Sequence, residues 1–168
     1  MKLRLLSVGV LFHGDDLLMM KRSATRTLHP GTWAAVGGHM EPFEITNPEA
    51  ACRREIFEET GFDSEDIKGL KLHYILLRLK GDELRQQFFY IGETSRRDFV
   101  DTDEGFLSWV PKQEVLQGDR EIPYVYRSLL AHYFTFGPTR HPWVGTASMT
   151  SDGEPIIHWL PLLDPVIL

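Results

Sequence analysis

Cysteine is nearly missing from this chain. Cys52 stands alone among 168 residues, so no internal disulfide can form. Seven histidines are scattered along the sequence, but no Cys/His set has zinc-site spacing, which excludes a structural zinc from the expected features. Long apolar runs are lacking as well. Stretches such as Val8 to Phe12 fall far short of a bilayer span, and the first residues show no apolar segment followed by a small-residue cleavage site. A cytoplasmic protein without membrane association is therefore expected. Basic residues are in deficit: 18 Lys and Arg stand against 24 Asp and Glu, a formal charge of -6, so a broad face for polymeric nucleic acid is not expected. A small anionic ligand remains compatible with this balance, because a divalent cation supplies positive charge locally.

Low-complexity linkers and internal repeats are also absent. With 42% hydrophobic and 25% charged residues the composition is that of a folded globular chain, and a single domain over residues 1–168 is expected. The apolar run Leu3 to Phe12, the turn His13-Gly14-Asp15-Asp16 and the run Leu17 to Met20 predict a hairpin. Trp33 to Val36 predicts a short strand entering a tight loop at Gly37-Gly38. Asn47-Pro48-Glu49 has the chemistry of a helix start and Gly61 that of a helix stop, so a helix is predicted over residues 48–60. Leu70 to Leu79 and Leu84 to Ile91 predict a second hairpin, and Phe106 to Val110 a further strand ending at Pro111. Residues 112–117 predict one short helix and Tyr124 to Phe136 a longer one. Residues 137–168 form a C-terminal extension in which Trp143 to Trp159, split by Ser151-Asp152-Gly153, predicts a terminal hairpin. Strands, one central helix, more strands and a late helix together predict an α/β sandwich built on a mixed sheet.

The chemistry concentrates between Gly37 and Phe62. Glu55, Glu58 and Glu59 fall at i, i+3 and i+4 of the predicted helix, hence on one face. Three carboxylates on one face repel unless a cation lies between them, and hard oxygen donors suit Mg²⁺ or Mn²⁺. A solvated acidic face is the competing reading. The surroundings favour a site: Gly37-Gly38 lets backbone come close to a metal, Glu44 adds a carboxylate from the loop, and Arg54 can brace Glu58 at i+4.

This stretch resembles the Nudix box, G-x5-E-x7-R-E-U-x-E-E-x-G-U with U a bulky apolar residue. Gly38, Glu44, Arg54, Glu55, Ile56, Glu58, Glu59, Gly61 and Phe62 fill its named positions over residues 38–62. Two departures fall in the loop. Phe43 stands where the family usually has Gly, and nine residues separate Glu44 from Arg54 instead of seven. The helix start at Asn47 keeps its distance from Arg54, so the extra pair is Ile45 and Thr46, and the reach of Glu44 depends on how the longer loop folds.

The resemblance implies a Nudix α/β/α sandwich with a mixed sheet and a catalytic loop-helix-loop. It implies a pyrophosphohydrolase that cleaves a nucleoside diphosphate linked to another moiety by water attack on phosphorus. The Gly37 carbonyl, Glu55, Glu58 and Glu59 would hold Mg²⁺ or Mn²⁺. Arg54 and Glu44 would support them, and Glu55 or Glu104 would take the proton of the attacking water. Glu104 comes from the acidic run Asp101-Thr102-Asp103-Glu104, where the family places an additional acid; an acidic surface turn is the alternative. Lys21-Arg22 ends the second strand, where a basic residue resembles the family's phosphate contacts, which makes Arg22 a candidate to hold phosphate; an exposed strand end is the alternative. Trp33 and Trp109 are candidates to stack a base, with plain core packing as the alternative.

The substrate class is a small nucleotide-like diphosphate. A nucleoside triphosphate, oxidised purines included as in the MutT-like branch, is favoured over nucleotide sugars and dinucleotides. Ala34 follows Trp33, however, and offers no amide to read a purine edge. A ligand sensor that binds without cutting is the alternative from another class. A prenyl-diphosphate isomerase would need a cysteine in the cleft, and Cys52 within the helix is badly placed for that. Homodimer formation is left open.

Overall fold

The computed structural model describes residues 1–25, 30–100 and 102–165. Strands β1 (Lys2–His13), β2 (Asp16–Arg22), β3 (Trp33–Ala34) and β4 (Val36–His39) lead through a single 3₁₀ turn at Pro42–Glu44 into helix α1 (Pro48–Thr60). Strands β5 (Ile67–Lys80), β6 (Glu83–Thr94) and β7 (Gly105–Pro111) follow, then the short helix α2 (Lys112–Val115), the longer α3 (Tyr124–Phe136), and the hairpin β8 (Trp143–Met149) and β9 (Pro155–Pro161).

All the strands join one mixed sheet in the order β3-β2-β1-β6-β5-β8-β9, with β4 added on β1 and β7 on β2. The centre is the parallel pair β1 and β6, in register from Lys2 opposite Glu83 to Phe12 opposite Glu93. The terminal hairpin is present as expected, but it does not stand apart from the sheet. β8 runs parallel to β5, with Tyr74 opposite Trp143, and so lengthens the main sheet.

Alternation along β1 assigns the two layers. Val8, Val10 and Phe12 pack toward Tyr126, Leu129 and Leu130 of α3, whereas Leu11 packs with Cys52 and Ile56 of α1 on the opposite face. Leu129 and Leu130 have no exposed surface, and each such burial contributes roughly 1.5–3 kcal/mol. The sheet is therefore clamped between two helices, an α/β/α sandwich. Among the described residues no helix is long and apolar enough to cross a membrane.

Helix α1 begins and ends where its local chemistry directs. The Asn47 side chain accepts from the Ala50 N–H at 3.2 Å, Pro48 occupies the first turn, and Gly61 at φ +76° donates its N–H to the Phe57 carbonyl at 2.8 Å. The helix is thereby fixed in length and phase, which decides where its acidic side chains point.

Candidate active site

Helix α1 presents Arg54, Glu55, Glu58 and Glu59 to a cleft of about 870 Å³ that Gly37 and Gly38 of β4 also line. Arg54 organises the carboxylates. Its Nε and Nη2 donate to the two oxygens of Glu44 at 2.8 and 2.9 Å, and its Nη1 donates to Glu55 Oε1 at 2.8 Å and Glu58 Oε2 at 3.1 Å. Nη2 also reaches the His39 carbonyl at 3.1 Å, tying the helix to the end of β4. One guanidinium thus holds three carboxylates, and the fork to Glu44 is the bidentate geometry that only arginine supplies.

The two-residue insertion leaves this arrangement intact. Ile45 is 56% exposed, so the extra residues lie on the surface, while Glu44 turns inward and is 4% exposed. Glu44 does not line the cleft; it stands behind Arg54. The Arg54 hydrogen bonds hold its carboxyl below the usual glutamate range, against the opposing effect of burial. Glu55 behaves oppositely: burial pushes its carboxyl above the usual range, the Arg54 contacts offset this in part, and the neighbouring Glu58 and Glu44 charges push further in the same direction. Glu59 is 7% exposed and its Oε2 accepts the Gly37 N–H at 2.8 Å.

Among the described residues no three acidic, His or Cys groups already converge as a closed metal cluster. Glu55 and Glu58 are instead each held to Arg54 through one oxygen. The second oxygens, Glu55 Oε2 and Glu58 Oε1, take no hydrogen bond from the described residues and remain for a hard cation. An excess of carboxylates over cationic partners, with the half-buried Glu55 resisting ionisation, is the donor chemistry that a divalent oxygen-seeking ion completes. The residues present therefore fit Mg²⁺ or Mn²⁺.

Gly38 shows how closely β4 and α1 approach. A Cβ at this position would lie 2.6 Å from Glu55 Oε2 and 2.7 Å from its Cδ. Because the atoms met are the end of a flexible side chain, Gly38→Ala is expected to fold and to displace the Glu55 carboxylate. Its kcat should fall by about tenfold or more while its melting temperature stays within a few degrees of the parent, as activity assays and thermal melts would record. An active variant with unchanged kcat would show that the Glu55 position is immaterial.

The other expected site residues divide. Arg22 and Glu104 both line the cleft; the Glu104 backbone carbonyl accepts from the Ser23 N–H at 3.2 Å, fixing that loop to the end of β2. Asp101, in the same acidic run, lies outside the described residues. Trp33 and Trp109 do not line the cleft, and the expectation that they stack a base together needs correction. Trp33 packs on the α3 side, under the Arg120 guanidinium at 5.7 Å. Trp109 packs on the α1 side, where its indole N–H donates to the Arg97 carbonyl at 3.0 Å and the Arg97 guanidinium lies 5.3 Å from the ring. Strand register puts them on opposite faces of the sheet, so no base can lie between them. Cys52 has no exposed surface and burial pushes its thiol up to about 12, which makes it a packing residue.

Sequence reasoning missed the floor of the cleft. Arg4, Leu6 and Val8 of β1 and Arg85, Gln87 and Phe89 of β6 alternate along their strands and meet in register on one face. The aromatic wall comes from Tyr124 and Tyr126 at the start of α3. The period-two pattern was available, but the parallel pairing that brings the two triplets together is a tertiary fact.

A family model described as the NUDIX domain matches residues 3–160. The chain belongs to the Nudix family. A nucleoside triphosphatase NudI of Enterobacter sp. (strain 638) is 39% identical over 61 residues, 36% of this chain and 42% of that protein, so the match spans well under half of the relative. Among solved structures, a MutT protein from Bacillus halodurans superposes with a TM-score of 0.70 at 22% identity, covering 96% of this chain and 99% of that one. A MutT protein from Methanosarcina mazei Go1 gives 0.69 at 17% identity, over 82% and 97%. At these identities the likeness to both MutT proteins is one of fold. The Nudix match nevertheless covers the box, the cleft floor and most of the terminal hairpin.

Proposed function

We propose that the protein is a Mg²⁺- or Mn²⁺-dependent pyrophosphohydrolase that cleaves a nucleoside diphosphate linked to another moiety, with a nucleoside triphosphate among its better substrates. The observation that carries this reading is the α1 carboxylate face, with Glu55 and Glu58 held by Arg54 and Glu59 by the Gly37 N–H, opening beside Gly37 and Gly38 into a cleft large enough for a nucleotide. The similarity to a nucleoside triphosphatase supports the substrate class.

Glu55, Glu58, Glu59 and the Gly37 carbonyl would hold the cation, which when bound neutralises the diphosphate and makes a bound water more acidic. Arg54 orients Glu55 and Glu58 and keeps both from turning away before substrate arrives. Glu55, whose carboxyl sits above the usual range, or Glu104 across the cleft, takes the proton as water attacks phosphorus. The P–O bond of the anhydride then breaks, the bridging oxygen leaves with the departing phosphate, and the products are two phosphate-bearing fragments. Arg22 at the cleft edge offers positive charge to the phosphate chain.

A screen of nucleoside triphosphates, oxidised triphosphates, nucleotide sugars and dinucleotides with Mg²⁺ tests the reading. Release of nucleoside monophosphate or another phosphate-bearing product is the expected result, with a triphosphate among the better substrates. Tight binding of one compound with no hydrolysis of any would establish a sensor instead.

A further inference from the structure

The cleft floor carries an arrangement that the carboxylate chemistry leaves unexplained. Arg4 of β1 is the register partner of Arg85 of β6, and Arg85 is in turn the partner of Arg78 of β5. All three line the cleft, so three guanidinium groups sit side by side across adjacent strands, where neighbouring strands lie about 4.8 Å apart. Like charges directly opposite each other on a sheet are destabilising.

Among the described residues a single carboxylate pairs with this row. Glu83 pairs with Arg4 Nε at 2.9 Å and with Arg85 Nε. Arg78 makes no ion pair with it: the Arg78 Nε is buried without a hydrogen-bond partner, and Arg85 beside it is 9% exposed. Burial and then the Arg85 charge push the Arg78 pKa down, and the Glu83 charge offsets this only in part.

The position of the row limits what that anion is. Val8 pairs with Gly37 at the carboxylate end of the cleft, and Arg4 lies four residues further along the same strand, a separation on the order of 13 Å. That is the backbone spacing; the Arg4 side chain itself leans back toward β4, where its Nη1 lies 3.1 Å from His39 Nε2. Between the two ends stands Gln87, opposite Leu6, with its Oε1 buried without a partner, and the Tyr126 hydroxyl of the cleft wall is likewise buried without one. Such groups suit a neutral hydrogen-bonding middle such as a sugar or base.

We propose that Arg4, Arg85 and Arg78 form a second anion subsite, which takes a phosphate monoester or carboxylate carried by the substrate on the far side from its diphosphate. This rests on the reading that the diphosphate lies at α1. The preferred substrate class is then a diphosphate with an anionic group at its other end, beyond a plain nucleoside triphosphate.

Matched pairs that differ only in the distal anion test this: NADP against NAD, coenzyme A against its dephospho form, and UDP-glucuronate against UDP-glucose. The first two pairs probe a phosphate and the third a carboxylate. Binding measured by calorimetry with Mg²⁺, alongside hydrolysis, is expected to favour the anion-bearing member of at least one pair by about tenfold or more. The Arg78→Gln variant, which breaks no existing ion pair, should shrink that gap to roughly threefold or less, and Arg4→Gln should shrink it too. A gap in binding with no hydrolysis of any compound supports the subsite and overturns the hydrolase reading alone. No preference in any pair, absence of binding included, overturns the subsite, as does a gap that both variants leave intact.

Discussion

Glu59→Gln and Glu58→Gln are each expected to lower kcat by at least about tenfold, since each replaces an anionic oxygen ligand with a weak neutral one. The amide separates charge from shape. Glu59 is nearly buried and accepts the Gly37 N–H, and the carbonyl oxygen of glutamine can accept the same bond, so the junction of α1 with β4 should persist. The Glu58 side chain is 54% exposed, so its loss should leave stability almost unchanged. Rates with saturating substrate, together with a melt of each variant, check the prediction. Near-parental kcat in both variants would mean that the cation is held elsewhere.

The second large effect is expected from Arg54→Ala, which should reduce activity by about tenfold or more and stability by about 2–3 kcal/mol. The activity falls because Glu55 and Glu58 lose the guanidinium that positions them. The stability falls because Glu44, buried behind Arg54, loses both guanidinium hydrogen bonds at once and keeps only the Glu41 N–H on Oε2. The pH dependence separates these causes. Arg54 depresses the folded-state pKa of Glu44, so the stabilisation from their pairing is fully present above the ordinary glutamate value and is lost as pH falls through the depressed one. Removing Arg54 removes that dependence. The melting difference between Arg54→Ala and the parent should therefore be largest near neutrality and shrink below roughly pH 4. An equal difference at both ends would place the loss in something other than the Glu44 pair.

What could be read from the sequence was whatever depends on near neighbours. The bounds of α1 follow from Asn47, Pro48 and Gly61, and the shared face of Glu55, Glu58 and Glu59 follows from helical spacing alone. Both layers of the sandwich were implied by the order of elements. The bidentate pair of Arg54 with Glu44 was less accessible, because it closes across a loop whose insertion obscures the distance. Trp33 and Trp109 illustrate a different limit. Each lies in a short strand where one residue of register decides the face, and the structure sends them to opposite sides. Arg4, Arg78 and Arg85 could be seen as scattered surface charges until β1 and β6 are known to run parallel and in register. No local pattern encodes that pairing.

The central claim is that a cation held by the α1 carboxylates is required for cleavage, and the most direct measurement is turnover of a nucleoside triphosphate across a titration of EDTA and Mg²⁺. Hydrolysis is predicted to stop in excess EDTA and to return when Mg²⁺ or Mn²⁺ is restored, since the arginines of the cleft can hold phosphate charge but cannot take the oxygen ligands of α1 or make a bound water acidic. Undiminished hydrolysis in excess EDTA would contradict the account.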